Sequence, residues 1–291
     1  MSLGRPAMAS KHGFKKSPAE LLVVGPEFNL DQVDTSGAPG FSGKKRDAEQ
    51  VLAEGERKLS VLQEQLFAQS KFGGKHSVLL VLQAMDTAGK GGIVSHVVGS
   101  VDPQGMQLHA FKAPTDEEKQ HDFLWRIEKG VPKAGMLGVF DRSHYEDVLI
   151  HRVHGWADET ELERRYQAIN DFEEQLTSNG TKIVKVMLDI SPETQKERLT
   201  ARLAEPTKHW KYSPTDVTER EFWPQYMEAY QLAFEKTSTK IAPWHVVPAD
   251  KKWYARLAVQ ELLLDAFESL DLSWPEGDYD LALERKRVAA S

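Results

Sequence analysis

Two acidic positions and a lysine stand out first, because their spacing suits phosphate chemistry. "QAMDTAGKGG" (83–92) follows the apolar run "HSVLLVLQ" (76–83). It comes close to the phosphate-binding pattern G-x-x-x-x-G-K-[ST]. Ala84 replaces the first glycine, and Gly91 replaces the hydroxyl residue. Gly89, Gly91 and Gly92 let the backbone approach an anion, and the amides from Ala88 onward can be turned toward it. Lys90 adds a point charge able to follow a moving phosphoryl group. A glycine-rich strand–helix turn that happens to carry a lysine is the plain alternative. Asp86 sits inside this loop, where a carboxylate repels phosphate. It is tolerable if a metal lies between, or if it takes a proton from an attacking oxygen. Otherwise it is an Asx-turn residue.

The second group is "MLGVFDRSHYEDV" (136–148), an apolar strand ending in Asp141. A strand-end aspartate beside a phosphate loop is the usual magnesium position, although such residues also cap loops. Arg142 follows and can hold a phosphate with its planar fork. Glu146 and Asp147 come at turn spacing, and at least one of them serves to cap the next helix. The third group is "QKERLTARLAEPTKHWKYSPTD" (195–216). Arg198 and Arg202 share one helix face, and Lys208 and Lys211 follow in a Pro-bounded stretch. This reads either as a lid closing over phosphates and excluding water, or as a solvated charged helix, since Glu193, Glu197 and Glu205 are close. Trp210 within it is read as lid packing. In "HDFLWR" (121–126), His121, Asp122 and Arg126 are candidates for polar contact with a nucleotide, with Phe123 assigned to the core.

These groups need a scaffold that brings them together. Short apolar runs predict strands at 76–83, 106–112, 136–141, 182–190 and 244–249. Helical periodicity predicts helices at 47–70, 115–130, 160–178, 191–203, 218–237 and 251–270. Ser191 and Pro192 form a cap and first-turn pair. Alternating strands and helices imply a parallel sheet covered on both faces. The fold class expected is α/β, a three-layer αβα P-loop kinase architecture with a five-stranded parallel sheet and a helical lid. Residues 1–46 read as a largely irregular extension whose first twenty residues form a mobile arm. Residues 47–271 read as the domain, with the lid at about 195–218, and 272–291 as a C-terminal tail.

The net charge is −7, so any polyanion must be met by local positive charge, and general nucleic-acid binding is not expected. There are no cysteines, which excludes disulfides and zinc–thiolate sites. No apolar run reaches membrane-spanning length and no signal-peptide pattern is present, so neither a membrane partner nor export is expected, and the place expected is the cytoplasm. "HRVHG" (151–155) is too isolated to argue for a metal and is read as structural, at a subunit contact of a homo-oligomer (dimer or tetramer).

"QAMDTAGKGG", "FKAPTDEEKQHDFLWR", "GVFDRSHYEDVLIHRVHG" and "EPTKHWKYSPTD", in this order and at these separations, resemble the polyphosphate kinase 2 family. The likeness runs from about Gln50 to Leu264. "HDFLWR" and "RSHYEDVL" are most similar to the branch accepting nucleoside mono- and diphosphates. The resemblance implies that inorganic polyphosphate donates its terminal phosphoryl to AMP or ADP, or to GMP or GDP, reversibly. It also explains the loop, which in this family reads G/A-x-D-x-x-G-K-G-G. By motif, Asp86 and Asp141 would organise Mg2+ and the attacking phosphate. Lys90 would bind the transferring phosphoryl, Arg142 the nucleotide phosphate, and Lys112 a phosphate near the loop. An ATP-dependent nucleoside-monophosphate kinase and a nucleotide-binding P-loop switch are the competing readings.

Overall fold

A strand with no polar face must be covered from both sides, and β1 (Ser77–Ala84) is buried along its whole length. The computed structural model describes residues 13–291. Beside β1 run β2 (Met106–Ala110), β3 (Leu137–Asp141), β4 (Thr181–Asp189) and β5 (Trp244–Pro248). They form one parallel five-stranded sheet in the order β2-β3-β1-β4-β5. Side chains alternate across it. Val78, Leu80 and Leu82 face one layer, with α2 (Lys45–Ser70), α3 (Lys90–His96) and α10 (Lys252–Glu268). Leu79 and Val81 face the other, with α5 (Glu146–Val153), α6 (Glu159–Ser178) and α9 (Trp223–Thr237). The three layers expected from the alternation of strands and helices are present.

The helix ends follow from local chemistry. Asp47 reaches back to the Lys44 amide at 2.8 Å to open α2. The Asp158 side chain accepts from the Glu161 amide at 2.9 Å to open α6. At α7 (Pro192–Ala204) the Ser191 hydroxyl accepts from the Thr194 amide at 3.1 Å, with proline at the first position. Beyond α7 come a 3-10 turn (Pro206–Lys211), α8 (Pro214–Thr218) and a second 3-10 turn (Glu219–Phe222) before α9. Three differences from the sequence reading are physical. The helix expected over 115–130 is only a 3-10 turn at Glu118–Gln120 and one helical turn, α4 (Trp125–Glu128), because the backbone is extended at His121. The helix expected over 218–237 is continuous only from Trp223. The tail carries a helix of its own, α11 (Leu281–Ala289).

The arm expected over the first twenty residues falls partly on residues 1–12, outside the described residues. From Gly13 onward the chain is docked. Phe14 is buried against Phe41 and Tyr254. Ser17 caps α1 (Pro18–Leu21) and donates to Asp265 at 2.6 Å. Residues 22–24 then lie antiparallel along β5, with the Val24 amide donating to Trp244 O at 2.8 Å and the Val246 amide to Leu22 O at 2.9 Å. This covers an edge that would otherwise present free backbone groups.

Candidate active site

Parallel strands end on the same side, and here β1 ends between β3 and β4, with Leu82 in register with Asp141. Ligand crevices in open parallel sheets lie at such ends. The glycine-rich loop leaves β1, turns at Thr87 (φ 67°) and Gly89 (φ 124°), and opens α3 at Lys90. A β-branched residue in the left-handed region is strained, so this loop shape must be imposed by its surroundings. Among the described residues, the amides of Thr87, Gly89, Lys90 and Gly91 have no protein acceptor. Lys90 Nζ donates to the Ala84 carbonyl at 3.1 Å, which folds the side chain back across the mouth of the loop.

The chain after β3 makes its own sharp turn, with Arg142 at φ 63°. Arg142 Nη2 donates to Asp86 Oδ1 at 2.7 Å, so the two loops are joined by an ion pair. The segment that follows is anchored from below. Lys185, fully buried in β4, donates to Glu173 Oε2 (2.6 Å), Tyr145 Oη (2.9 Å) and Thr237 O (2.8 Å), while Tyr145 Oη donates to Glu173 Oε1 (2.8 Å). Burial lowers the Lys90 ammonium from its usual range, and Arg142 adds to this; Asp86, Asp141 and Glu146 oppose it. Burial also works against charge on Arg142, but Glu146 and Asp86 outweigh it and hold the guanidinium firmly protonated. Glu146 is pushed up by burial, against the pull of Arg142 and Lys90.

One cleft of about 660 Å³ joins these parts. Of the residues singled out in the sequence, Asp86, Ala88, Gly89, Lys90, Gly91, Gly92, Asp141, Arg142, Arg198, Arg202, Lys208 and Lys211 all line it. Glu146 stands behind Arg142 rather than in the lining. Trp210 lines the cleft with 79% of its surface exposed, so it is not a packing residue as expected.

Four candidates lie elsewhere. Arg126 is buried, donating to Lys112 O at 2.7 Å and facing Asp147 at 3.5 Å, so its guanidinium is engaged within the fold. The Lys112 side chain is exposed and outside the cleft lining. His121 stacks on Trp125 (3.9 Å between centroids, 13°). Asp122 caps the Leu124 amide (3.1 Å) and pairs with Arg164 (3.1 Å). Arg198 is in the cleft wall but occupied. Its Nη1 donates to Thr87 O (3.1 Å) and Ala88 O (2.7 Å), and its Nη2 to Ala249 O (2.7 Å) and Asp250 O (3.0 Å). A guanidinium so engaged holds the loop to the end of β5 and has only Nε–H to spare, which differs from the phosphate contact expected of it. Arg202, by contrast, makes longer contacts, to Lys211 O at 3.1 Å and Asp216 Oδ2 at 3.4 Å.

Comparison with known proteins decides the family. The family profile "Polyphosphate kinase 2 (PPK2)" matches residues 42–273. The chain belongs to the polyphosphate kinase 2 family. It is 66% identical to a crystal structure of polyphosphate kinase 2 from Arthrobacter aurescens TC1, covering 98% of this chain and 100% of that one, with a TM-score of 0.95. It is 41% identical over 264 residues to the ADP-polyphosphate phosphotransferase of Rhodopseudomonas palustris, covering 87% of this chain and 90% of that one. It is 41% identical over 249 residues to the AMP/ADP-polyphosphate phosphotransferase of Meiothermus ruber, covering 86% and 92%.

The polyphosphate kinase 2 chain also has cleft residues that the sequence reading missed. Lys252 and Arg256 project from the first turns of α10 into the lining. Burial lowers Lys252, and the neighbouring Arg198, Arg256, Lys208 and Arg202 lower it further, which shows how closely these cations are gathered. Their i, i+4 spacing directly after a strand end was available as a signal. Asp216 also approaches: burial raises its carboxyl and Asp86 adds to this, while Arg202, Arg142 and Lys90 oppose. Nothing in the sequence marked Asp216.

Proposed function

We propose that this chain is a polyphosphate-dependent nucleotide kinase, passing the terminal phosphoryl of inorganic polyphosphate to AMP or ADP, and reversibly to polyphosphate from the product. Guanine nucleotides are acceptors in the same reading. The observation that supports it is the single cleft, in which a phosphate loop meets a lip carrying Arg202, Lys208, Lys211, Lys252 and Arg256. A polyanion needs such a row of charge, and this cleft gathers it locally in a protein of net charge −7.

The acceptor's phosphate oxygen attacks the terminal phosphorus of the chain, the bridging P–O bond breaks, and the shortened polyphosphate leaves with that oxygen. Free loop amides bind the phosphoryl oxygens, and Lys90 stays with the transferring group. Arg142 exchanges the Asp86 carboxylate for an acceptor phosphate. The lid, about 195–218, closes over the chain and excludes water that would otherwise take the phosphoryl. Mg2+ fits the residues present. Among the described residues no cluster of three or more His, Cys, Asp or Glu side chains is placed to hold a metal, yet Mg2+ is commonly held by one or two carboxylates plus substrate phosphates. Asp86 and Asp141, both in the cleft lining, would be those carboxylates. Held there, Mg2+ would supply neutralisation of the phosphate charge that develops in transfer. We place the enzyme in the cytoplasm as a homo-oligomer, consistent with the exposed apolar side chains Trp274, Leu281, Leu283 and Val288 near the C-terminus. Among the described residues no helix is long and apolar enough to cross a membrane.

The test is to offer AMP, ADP, GMP and GDP separately, each with polyphosphate and Mg2+ and no ATP, and to separate products by chromatography. New di- and triphosphates are expected. Product formation with ATP as donor but none with polyphosphate would overturn the proposal in favour of an ATP-dependent kinase.

A further inference from the structure

The strained loop at 84–92 is held from outside by α7. Gln195 Nε2 donates to Asp86 O at 2.9 Å, and Arg198 Nη1 donates to Thr87 O at 3.1 Å and Ala88 O at 2.7 Å. Three successive carbonyls of the loop are therefore turned toward one helix. In a trans peptide the N–H points opposite to the C=O of the same unit. Fixing the carbonyls of Asp86 and Ala88 toward α7 thus directs the amides of Thr87 and Gly89 away from it. Among the described residues neither of these amides has a protein acceptor, whereas the Ala88 amide between them donates to Met85 O at 3.2 Å. The α7 contacts thus fix the orientation of the two peptide units whose amides are free, Asp86–Thr87 and Ala88–Gly89, while the Ala88 amide is taken up within the loop by Met85 O.

Gln195 is itself held. Arg220 Nη1 donates to Gln195 Oε1 at 2.6 Å and to Pro192 O at 3.0 Å. Pro192 opens α7 ahead of the lid, and Arg220 lies just past it. One arginine therefore ties the two ends of the lid together, and one glutamine joins that tie to the loop. Gln195 is 1% exposed, and both ends of its carboxamide are bonded. A buried amide is tolerable only when satisfied in this way, and an apolar side chain of the same volume would fill the site without such a demand.

We infer that Gln195 is a positioning residue for phosphoryl transfer. It sets the direction of the Asp86–Thr87 peptide and, through Arg220, couples the base of the lid to the glycine-rich loop. Loop amides and lid cations are thereby aimed at the same phosphate chain. The inference deepens the proposed function and rests on it for its kinetic assay.

Two variants separate positioning from mere packing. Gln195→Met fills the space and removes both bonds. Gln195→Glu keeps an acceptor for Arg220 but cannot donate to Asp86 O. In both, melting temperature is expected to stay near wild type, while kcat with polyphosphate and ADP falls about ten- to hundredfold, the scale of small misplacements at a reacting centre. KM for ADP is expected to change by no more than about twofold. Arg220→Met should lower kcat in the same way, and the double variant Q195M/R220M should fall no further than the lower single one, as for residues acting through one network. A second readout needs no turnover: tripolyphosphate with Mg2+ is titrated while the amide resonances of Thr87 and Gly89 are followed. Large shifts are expected in wild type and small ones in Gln195→Met. If wild type itself fails to use polyphosphate, the proposed function falls, and the amide titration still decides the role of Gln195. Wild-type kcat in Gln195→Met, a loss of rate recovered fully on cooling, or amide shifts equal to wild type would each overturn the inference.

Discussion

Arg142 Nη2 lies 2.7 Å from Asp86 Oδ1, joining a residue just past the end of β3 to one inside the loop after β1. Each answers an electrostatic problem of the other. Asp86 stands in a loop shaped for anions, and Arg142 sits at a left-handed turn with Glu146 behind it. The pair is partly exposed, so its net contribution to stability is small. Its importance is positional: it holds a carboxylate and a guanidinium at the same point of the cleft, where an acceptor phosphate can take the place of the one and face the other.

The two α7 arginines are expected to separate. Arg202→Ala should lose about ten- to a hundredfold in kcat, roughly 1.4–2.7 kcal/mol of barrier, with melting temperature unchanged. Arg198→Ala should lose both. Its guanidinium donates to four carbonyls, and hydrogen bonds to a charged group are worth roughly 1.5–3 kcal/mol, so the melting temperature should fall by several degrees as well. Calorimetry and initial rates on the two variants check this. Equal melting temperatures in wild type and Arg198→Ala would return that arginine to the phosphate.

Polyphosphate affinity should fall steeply with salt. The argument carries over from nucleic acids, where each neutralised phosphate releases counterions and log K falls linearly with log salt. With Arg202, Lys208, Lys211, Lys252 and Arg256 gathered at one cleft, binding measured by calorimetry at 50 and 200 mM salt should weaken by about tenfold or more. Affinity that is flat over this range removes the basic channel from the account.

The sheet and the loop were legible because they are written in local chemistry. Fully apolar runs between glycines and caps have few alternatives, and the observed strands agree with the expected ones to within two residues at either end. Thr115 and Glu118 show the limit of local signals. They make the reciprocal cap expected of a helix start, the Thr115 amide donating to Glu118 at 2.7 Å and the Glu118 amide to Thr115 Oγ1 at 3.2 Å. The chain nevertheless turns away at His121, and Arg126 goes inward to Lys112 O and Asp147. Arg198 could be read as a cation on a helix face but not as a clamp, since its partners are carbonyls 51 to 111 residues away. Side-chain type and spacing identify a candidate; only the fold assigns its partner.

Stability should respond to pH through Asp189. This carboxyl closes β4 beneath the cleft, and burial first, then the nearby Asp250, push it up to about 7. Its folded value exceeds the unfolded one near 3.9. The native state therefore binds more protons between these values, and stability present below about pH 4 is lost as pH rises through about 7. Fully expressed, this amounts to at most about 4 kcal/mol. Asp189→Asn removes the term. Relative to wild type, the variant should gain in melting temperature between pH 5 and 8 (scanning calorimetry). A constant difference across that range would mean that Asp189 does not titrate there.

Asp86→Asn tests the mechanism most directly. Asparagine keeps the size and most local hydrogen bonds of aspartate, so a residue present only to shape the turn is replaced without loss. The Asp86 carbonyl would still accept from Gln195, and the strained Thr87 would be held by Arg198 as before. What disappears is the charge that faces Arg142 and, in the proposed reaction, helps hold Mg2+. Kcat should fall by about 10²–10⁴, the range for loss of a group acting on the reacting atoms, and the Mg2+ concentration for half-maximal rate should rise. Circular dichroism and melting temperature should remain close to wild type, because the ion pair lost is partly exposed. Steady-state rates over a Mg2+ titration decide the matter. Near-wild-type turnover with an unaltered Mg2+ dependence would sink the mechanism, since the one acidic residue inside the phosphate loop would then have no chemical task.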